Sequence, residues 1–164
     1  MINSFYPWWV YLHVFGAFAF AAAHGVSAVV AFRIRATRDP VAIRTLLDVS
    51  GVAIGVMYVG LLLLLIGGVV AGLVGGHFSR GWIWASLGIL VVTMVAMYML
   101  ATPFYRRLRE AVGAETREPQ ATPGAPVDAA ALDALASSSR PMVLAVVGLA
   151  AFAIILWLML LQPF

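Results

Sequence analysis

Four long stretches without a charged residue constrain the fold of this chain more than any other feature. Each is long enough to cross a membrane, and they cover residues 8–32, 49–79, 81–105 and 141–164. About twenty apolar residues in an α-helix span a bilayer core of about 30 Å, and a helix satisfies its backbone hydrogen bonds without water. The sequence therefore predicts an all-α polytopic membrane protein, a single antiparallel bundle of four transmembrane helices over about residues 8–33, 45–76, 81–105 and 141–162.

The composition supports a membrane protein, and no separate soluble domain is expected within these 164 residues. Hydrophobic residues make up 63% of the 164 residues and charged residues 10%, against about 45–50% and about 25% in soluble domains. Cysteine is absent, which excludes disulfides and thiolate metal sites. The net charge of +3 is what membrane-anchoring arginines supply, so no nucleic-acid partner is expected.

The arginines predict how the helices are oriented. Nine of the ten lie in the connections 33–48 and 106–140, and only Arg80 lies between the second and third stretches. Cytoplasmic loops of membrane proteins carry the excess of Lys and Arg, so both connections are predicted to be cytoplasmic and both chain termini to lie on the outer side. Four tryptophans at the opposite boundary agree, since indole rings prefer the headgroup region; they are Trp8, Trp9, Trp82 and Trp84.

Local signals refine the ends of the predicted helices. Asp39 followed by Pro40 is typical of a helix start, with the carboxylate as N-cap and proline at the first helical position. The third helix is expected to continue to Gly113, which favours a C-terminal cap. Further on in the same connection, three prolines indicate a flexible loop at 116–126. Asp128 is then the N-cap of a short predicted helix that ends at residue 136.

Small residues recur along the second helix at the spacing that lets membrane helices approach closely. Glycines four residues apart form small-xxx-small patterns, with members at Gly51, Gly55, Gly68, Gly72 and Gly76. The first helix has a comparable stripe that includes Gly16 and Gly25. Three interpretations stay open: packing of the first two helices, association with a membrane-protein partner or a second copy of the chain, and space for a flat ligand such as a porphyrin or quinone ring.

Histidines inside the membrane are candidates for a functional site, because burying an ionisable group in lipid is costly. His13 and His24 lie in the first helix, and His77 lies at the outer end of the second. At about 100° per residue, the eleven residues from His13 to His24 return to nearly the same face, about 16.5 Å further along the axis. Neutral imidazole ligates haem iron and transition metals. A cofactor-binding wall of His13 and His24, flanked by Gly16 and Gly25, is therefore predicted, with His77 as a further ligand.

The same histidines also allow simpler interpretations. A haem with two histidine ligands needs both at similar depth, and His77 is expected nearer the water than His13. His24 lies in the inner leaflet without a histidine partner, so an iron there would need a methionine, water, an open position or another subunit. A membrane histidine also serves helix packing by hydrogen-bonding a neighbouring helix. The loop-like Gly-Gly-His context of His77 is equally consistent with a solvated interface residue.

Two methionines of the third helix offer an alternative metal site. Met94 and Met97 are three residues apart and share a helix face, and thioethers combined with imidazole suit Cu(I). Methionine in a packed or lipid-facing helix is otherwise flexible filler. No carboxylate lies within the four stretches, which argues against a proton-driven pump working alone, and no phosphate loop, hydrolase triad or metalloprotease motif is found. The chain is therefore not expected to be an enzyme on its own.

The start of the first helix resembles a known group of proteins. Residues 11–17, Tyr-Leu-His-Val-Phe-Gly-Ala, are followed by a small-residue run to His24 and Gly25. This pattern is similar to the first helix of small four-helix membrane proteins of bacteria, the CopD-like copper-resistance domain and the DUF2269-type family. The resemblance implies a four-helix bundle in the bacterial plasma membrane whose helix-one histidine binds haem or copper.

These observations lead to three hypotheses of function. The first is a protein that binds b-type haem or a metal ion through His13 and His24 and acts in electron transfer or cofactor handling. The second is an accessory or scaffold subunit of a larger membrane complex, with no catalytic activity and no cofactor. The third is copper transport or resistance. All three place the chain in the lipid bilayer.

Overall fold

The computed structural model describes residues 5–114 and 127–164. Within these ranges the chain forms five α-helices and a short 3₁₀ turn, His77–Ser79. The helices are α1 (Tyr6–Ala36), α2 (Pro40–Val74), α3 (Gly81–Ala111), α4 (Ala129–Ala136) and α5 (Arg140–Leu161). The flexible loop predicted at 116–126 lies outside the described residues. The all-α class is as predicted.

The helix ends follow the local chemistry of the sequence. The Asp39 carboxylate accepts a hydrogen bond from the Val41 amide at 3.0 Å and caps α2, which begins at Pro40. Gly113 has a φ of +63°, a left-handed conformation that glycine adopts without steric cost and that ends helices. The Asp128 side chain accepts from the Ala131 amide at 2.9 Å and caps α4.

Four segments are long and apolar enough to cross a membrane: α1, α2, α3 and Ala129–Leu161, which contains α5. Only 11–22% of the residues in their most apolar windows are buried inside the protein, so most of the apolar surface is left for lipid. The 22 residues of α5 measure about 33 Å, close to the bilayer core of about 30 Å. The 31–35 residues of the other three exceed that length, so their ends project beyond it.

Two ends of the bundle differ in chemistry. We call the end formed by residues 33–48, 106–114 and 127–140 the arginine end, and the opposite end, with Trp8, Trp9, Trp82 and Trp84, the aromatic end. At the arginine end, α4 lies over a buried cluster to which α1, α2 and α3 also contribute, including Ile34, Ile43, Phe104, Leu108 and Leu132. At the aromatic end, the Trp82 amide donates to the Phe164 carbonyl at 3.3 Å and joins α3 to the end of α5.

Arginine side chains hold the helix ends together at the arginine end. Arg44 Nε donates to the Val112 carbonyl at 2.6 Å, one of the carbonyls that the end of α3 leaves without an intrahelical donor. Arg109 donates to the Leu47 carbonyl of α2 at 2.8 Å. Arg38 Nε donates to Asp133 of α4 at 2.7 Å, which ties the first connection to α4.

In the bundle, α1 packs along the whole of α2, α3 packs along α5, and α1 also contacts α5. The closest approach of α1 and α2 is backbone to backbone. A Cβ on Gly16 would overlap the Leu64 amide nitrogen, and a Cβ on Gly60 would lie 2.7 Å from the Phe20 amide nitrogen. Only glycine fits at these positions, because no side chain separates the two helices there.

The backbone contact uses other glycines than the predicted small-xxx-small pairs, although Gly68, a member of one pair, faces the His13 ring of α1. Gly60 and Gly67 of α2 both lie against the α1 backbone, and they are seven residues apart, the repeat of a left-handed helix pair. By contrast, Gly55 has open space around it, and Gly51 meets only the Arg109 side chain at 3.6 Å. Gly72 lies against the Phe78 ring and Gly76 lies outside α2. Because the contact between α1 and α2 repeats every seven residues, glycines spaced four residues apart do not all lie on it.

Candidate functional site

His13 lies in the seam between α1 and α2. Its Nδ1 atom is 2.8 Å from the Leu64 carbonyl oxygen; because a carbonyl only accepts, this contact assigns the proton to Nδ1. Gly68 makes room for the ring, since a Cβ there would lie 2.6 Å from Nδ1. The imidazole thus hydrogen-bonds the neighbouring helix, the structural role that the sequence left open for a membrane histidine.

His24 lies on a different side of α1. A Cβ on Gly148 of α5 would overlap Cε1 and Nε2 of the His24 ring and would lie 2.8 Å from the Met97 Cε methyl. The imidazole therefore rests on the α5 backbone, with the tip of a thioether side chain from α3 beside it. Nε2 is buried and has no hydrogen-bond partner among the described residues.

The repeat of the α1–α2 seam explains why the two histidines separate. The seam advances along α1 through His13, Gly16 and Phe20 in alternating steps of three and four, the 3.5-residue period of a left-handed pair. Eleven residues at that period overshoot three turns by about 50°. His24 is consequently rotated out of the seam toward α5, so the predicted single wall of two imidazoles is divided between two interfaces.

Three chemically distinct residues meet at one depth. Each lies eight or nine residues from an arginine that bounds its apolar stretch: His24 before Arg33, Gly148 after Arg140 and Met97 before Arg106. That distance is about 12–14 Å along a helix, close to the middle of a bilayer core of about 30 Å. An imidazole and a thioether therefore face each other far from water.

An apolar groove runs along the outer side of His24, between α1 and α5, with a volume of about 230 Å³. Its α1 wall contains Gly25, which is exposed and has no atom within 4 Å of the place a Cβ would occupy. Three phenylalanine rings belong to its lining. The groove is lined by Phe20, Ala21, His24, Gly25, Ala28, Phe32, Ala145, Val146, Leu149 and Phe152.

His77 belongs to the aromatic end rather than to either interface of α1. Its Nε2 atom is 3.4 Å from the Tyr6 hydroxyl, and its ring lies 6.1 Å from the Trp82 ring, centroid to centroid. Nδ1 is buried without a hydrogen-bond partner in the part of the chain that the structure describes. The residue thus packs the α2–α3 turn against the start of α1.

The three histidines do not converge on one metal. His13 and His77 lie against Gly68 and Gly75, seven residues or about 10 Å apart along α2, whereas two nitrogens on one metal lie about 4 Å apart. Over residues 5–114 and 127–164, no three His, Cys, Asp or Glu side chains are close enough to hold a metal ion together. Any cofactor ligand set within the described chain must therefore include other residue types.

The remaining predicted site residues are placed unequally. Gly16 is closed by the α2 backbone and leaves no space for a planar ligand, whereas Gly25 lines the groove beside His24. Met97 reaches His24, but Met94 is 37% exposed on the outer surface of α3. Sequence reasoning missed Gly148, although its signal was present: it is the one glycine in 141–164, and it lies eight residues from Arg140, close to the nine residues that separate His24 from Arg33.

Comparison with known proteins identifies the family of the chain. A family model described as "Predicted integral membrane protein (DUF2269)" matches residues 8–163. No curated protein matches the sequence, and no solved structure matches it. The match covers all four apolar segments and includes the helix-one motif that suggested the resemblance. The chain therefore belongs to the DUF2269 family of predicted integral membrane proteins.

Proposed function

We propose that this integral membrane protein binds a b-type haem or a metal ion through His24 and acts in electron transfer or cofactor handling within the membrane. The observation that carries the proposal is the buried Nε2 atom of His24, which has no partner among the described residues. A buried polar atom without a hydrogen bond costs about 1–3 kcal/mol. A nitrogen that binds a metal must have no competing hydrogen bond, and Nε2 of His24 meets this requirement near the middle of the membrane, beside a methionine.

Met97 is the second ligand in this proposal. Its methyl group and the His24 ring both lie against Gly148, and in the proposal a rotation of the thioether side chain lets sulfur and Nε2 share an ion. Imidazole and thioether suit Cu(I), and the same pair serves haem iron. Because the two side chains lie against the same glycine, a metal ion needs less movement of α1, α3 and α5 than a porphyrin inserted between them.

The test is the absorption spectrum of detergent-purified protein, oxidised and dithionite-reduced, with metal analysis of the same sample. A Soret band with reduced α and β bands, or a stoichiometric metal, supports the proposal. Met97→Leu keeps the volume of the side chain and removes its sulfur, so it should lower metal retention or shift the reduced bands. A colourless and metal-free protein that also takes up neither added haem nor added Cu(I) contradicts the proposal.

Orientation and location complete the proposal. The excess of arginine at the arginine end supports a cytoplasmic location of that end, with both termini outside and the protein in a bacterial plasma membrane. Since the chain has no cysteine, single-cysteine variants report accessibility without background. An impermeant thiol reagent applied to intact cells should label Ser79→Cys and leave Ser139→Cys unlabelled; the reverse pattern inverts the orientation.

A second candidate function is that of an accessory subunit held in a larger membrane complex. It is favoured by Gly51 and Gly55, a small-xxx-small pair that is exposed on α2 and takes no part in packing against α1. Gly55→Leu should then abolish cross-linking to a partner or to a second copy in native membranes. Gly88→Leu, also exposed and open on α3, is the matched control; equal cross-linking in both variants contradicts this role.

A further inference from the structure

A positively charged residue, Arg35, lies on α1 just beyond the groove between α1 and α5. Ala28, which lines the groove, lies seven residues before Arg35, and seven residues are two turns at the repeat of the paired helices, so Arg35 falls on the groove face of α1. Phe32, at the end of the groove, lies one turn before it. Arg35 is therefore the next residue on the groove face of α1 beyond the apolar lining, toward the arginine end.

Arg35 is free to bind an anion. No side-chain hydrogen bond or ion pair of Arg35 is found in the part of the chain that the structure describes, whereas the neighbouring Arg38 is engaged by Asp133 at 2.7 Å and by Ser137 at 3.0 Å. The acidic group of α4 is thus occupied by Arg38. The positive charge of Arg35 is left uncompensated.

The start of α5 adds to the same potential. Because α1 and α5 are antiparallel and His24 meets Gly148, Arg35 lies at about the level of residue 137, just before α5 begins at Arg140. The Ser139 side chain does not cap this helix start, where the Arg140 amide donates to the Ser138 hydroxyl at 3.2 Å; the N-terminal end of a helix dipole favours negative charge. An apolar groove with a cation beyond its end is complementary to a molecule that combines an acyl chain with an anionic headgroup.

We propose that the α1–α5 groove is a specific site for an anionic phospholipid. One acyl chain lies along the groove past Gly25, and the phosphate headgroup binds Arg35 and the start of α5. The acyl chain covers the outer side of the His24 imidazole and leaves the Nε2 atom of His24 facing α5 and α3. The site is independent of whether His24 holds a cofactor.

Native mass spectrometry and thermal unfolding in neutral detergent test the site, with phosphatidylglycerol compared with phosphatidylcholine of identical acyl chains. Wild type should retain one phosphatidylglycerol, and this lipid should raise the unfolding midpoint more than phosphatidylcholine does. Arg35→Gln should weaken retention about five-fold, the effect of one arginine near an anionic headgroup. Gly25→Leu should remove it by filling the groove.

Two control variants separate the site from general attraction. Arg33→Gln removes a second arginine without a described partner on α1, nine residues or about half a turn away from the His24 face, and should leave retention unchanged. Gly88→Leu adds the same bulk on an open face of α3 and should also be neutral. Equal retention of the two lipids, equal effects of Arg33→Gln and Arg35→Gln, or undiminished retention by Gly25→Leu would each overturn the proposal.

Discussion

The two sides of α1 differ although both are built from the same kinds of residue. Toward α2, glycines bring the backbones into contact, and His13 has a carbonyl partner at 2.8 Å. Toward α5, the helices leave an apolar groove of about 230 Å³, and the Nε2 atom of His24 has no described partner. His13 hydrogen-bonds the neighbouring helix and so contributes to packing of the bundle, whereas Nε2 of His24 makes no such bond among the described residues.

The comparison shows that a membrane histidine cannot be assigned from its depth or helix face alone. In a bilayer no hydrophobic effect separates helices from lipid, so close packing and interhelical hydrogen bonds decide which helices associate. The α2 side provides both at His13. The α5 side provides packing by Gly148 but no acceptor or donor for Nε2, and that difference marks His24 as the functional candidate.

The largest expected effect on stability comes from placing a side chain where the α1 and α2 backbones are in contact. In Gly16→Leu the new side chain meets the Leu64 backbone, which cannot move independently, so we expect a loss of more than about 3 kcal/mol of folding free energy. Thermal unfolding and the yield of monodisperse protein measure it. Gly25→Leu, on the groove side of the same helix, should remain folded; equal damage by both substitutions would remove the distinction between the two sides.

A smaller effect is expected where α5 supports the His24 ring. Gly148→Ala places a Cβ on the imidazole and should lower the free energy of unfolding by about 1–3 kcal/mol, as measured by thermal unfolding. Gly88→Ala, which meets nothing within 4 Å, should instead gain up to about 1 kcal/mol from helix propensity. In a double-mutant cycle, His24→Ala should relieve the cost of Gly148→Ala; additive effects would show that the ring does not rest there.

The two histidines should respond with opposite signs in protein freed of metal and haem. His13→Leu removes a hydrogen bond across helices and should cost about 0.6–1.7 kcal/mol. His24→Leu removes a buried atom without a partner and should be neutral or stabilising. Unfolding midpoints of the two variants, measured side by side, check the sign, and a larger loss for His24→Leu would reveal a partner for its ring.

The smallest effect is expected at the open glycine of the groove. Gly25→Ala adds a methyl group where no atom lies within 4 Å and reduces the entropy lost on forming the helix. A gain in the free energy of unfolding of at most about 1 kcal/mol follows, readable as a slightly higher unfolding midpoint. A loss would place a neighbouring helix closer to this face of α1.

Much of the fold could be predicted from the sequence, because charge-free length and capping residues are local signals. The start of α2 at Asp39 and Pro40, the left-handed Gly113 and the capped helix after Asp128 all depend on residues adjacent in the chain. The close approach at Gly60 and Gly67 is not local. It depends on the seven-residue repeat of two paired helices, which four-residue spacing does not indicate.

The candidate site was predictable only in part for the same reason. His24 and Met97 were evident as residue types, but their meeting depends on α5, which brings Gly148 between them. The similar spacing of all three from boundary arginines, eight or nine residues, was the available signal. The separation of His13 from His24 was not predictable at 100° per residue, because in paired helices eleven residues overshoot three turns by about 50° rather than by about 20°.

The most direct test of the account is the metal and haem content of three proteins purified in parallel: wild type, His24→Leu and His13→Leu. We expect a stoichiometric metal or haem in wild type, its loss in His24→Leu, and its retention in His13→Leu despite lower stability. Loss in His13→Leu with retention in His24→Leu would contradict the assignment of roles to the two sides of α1.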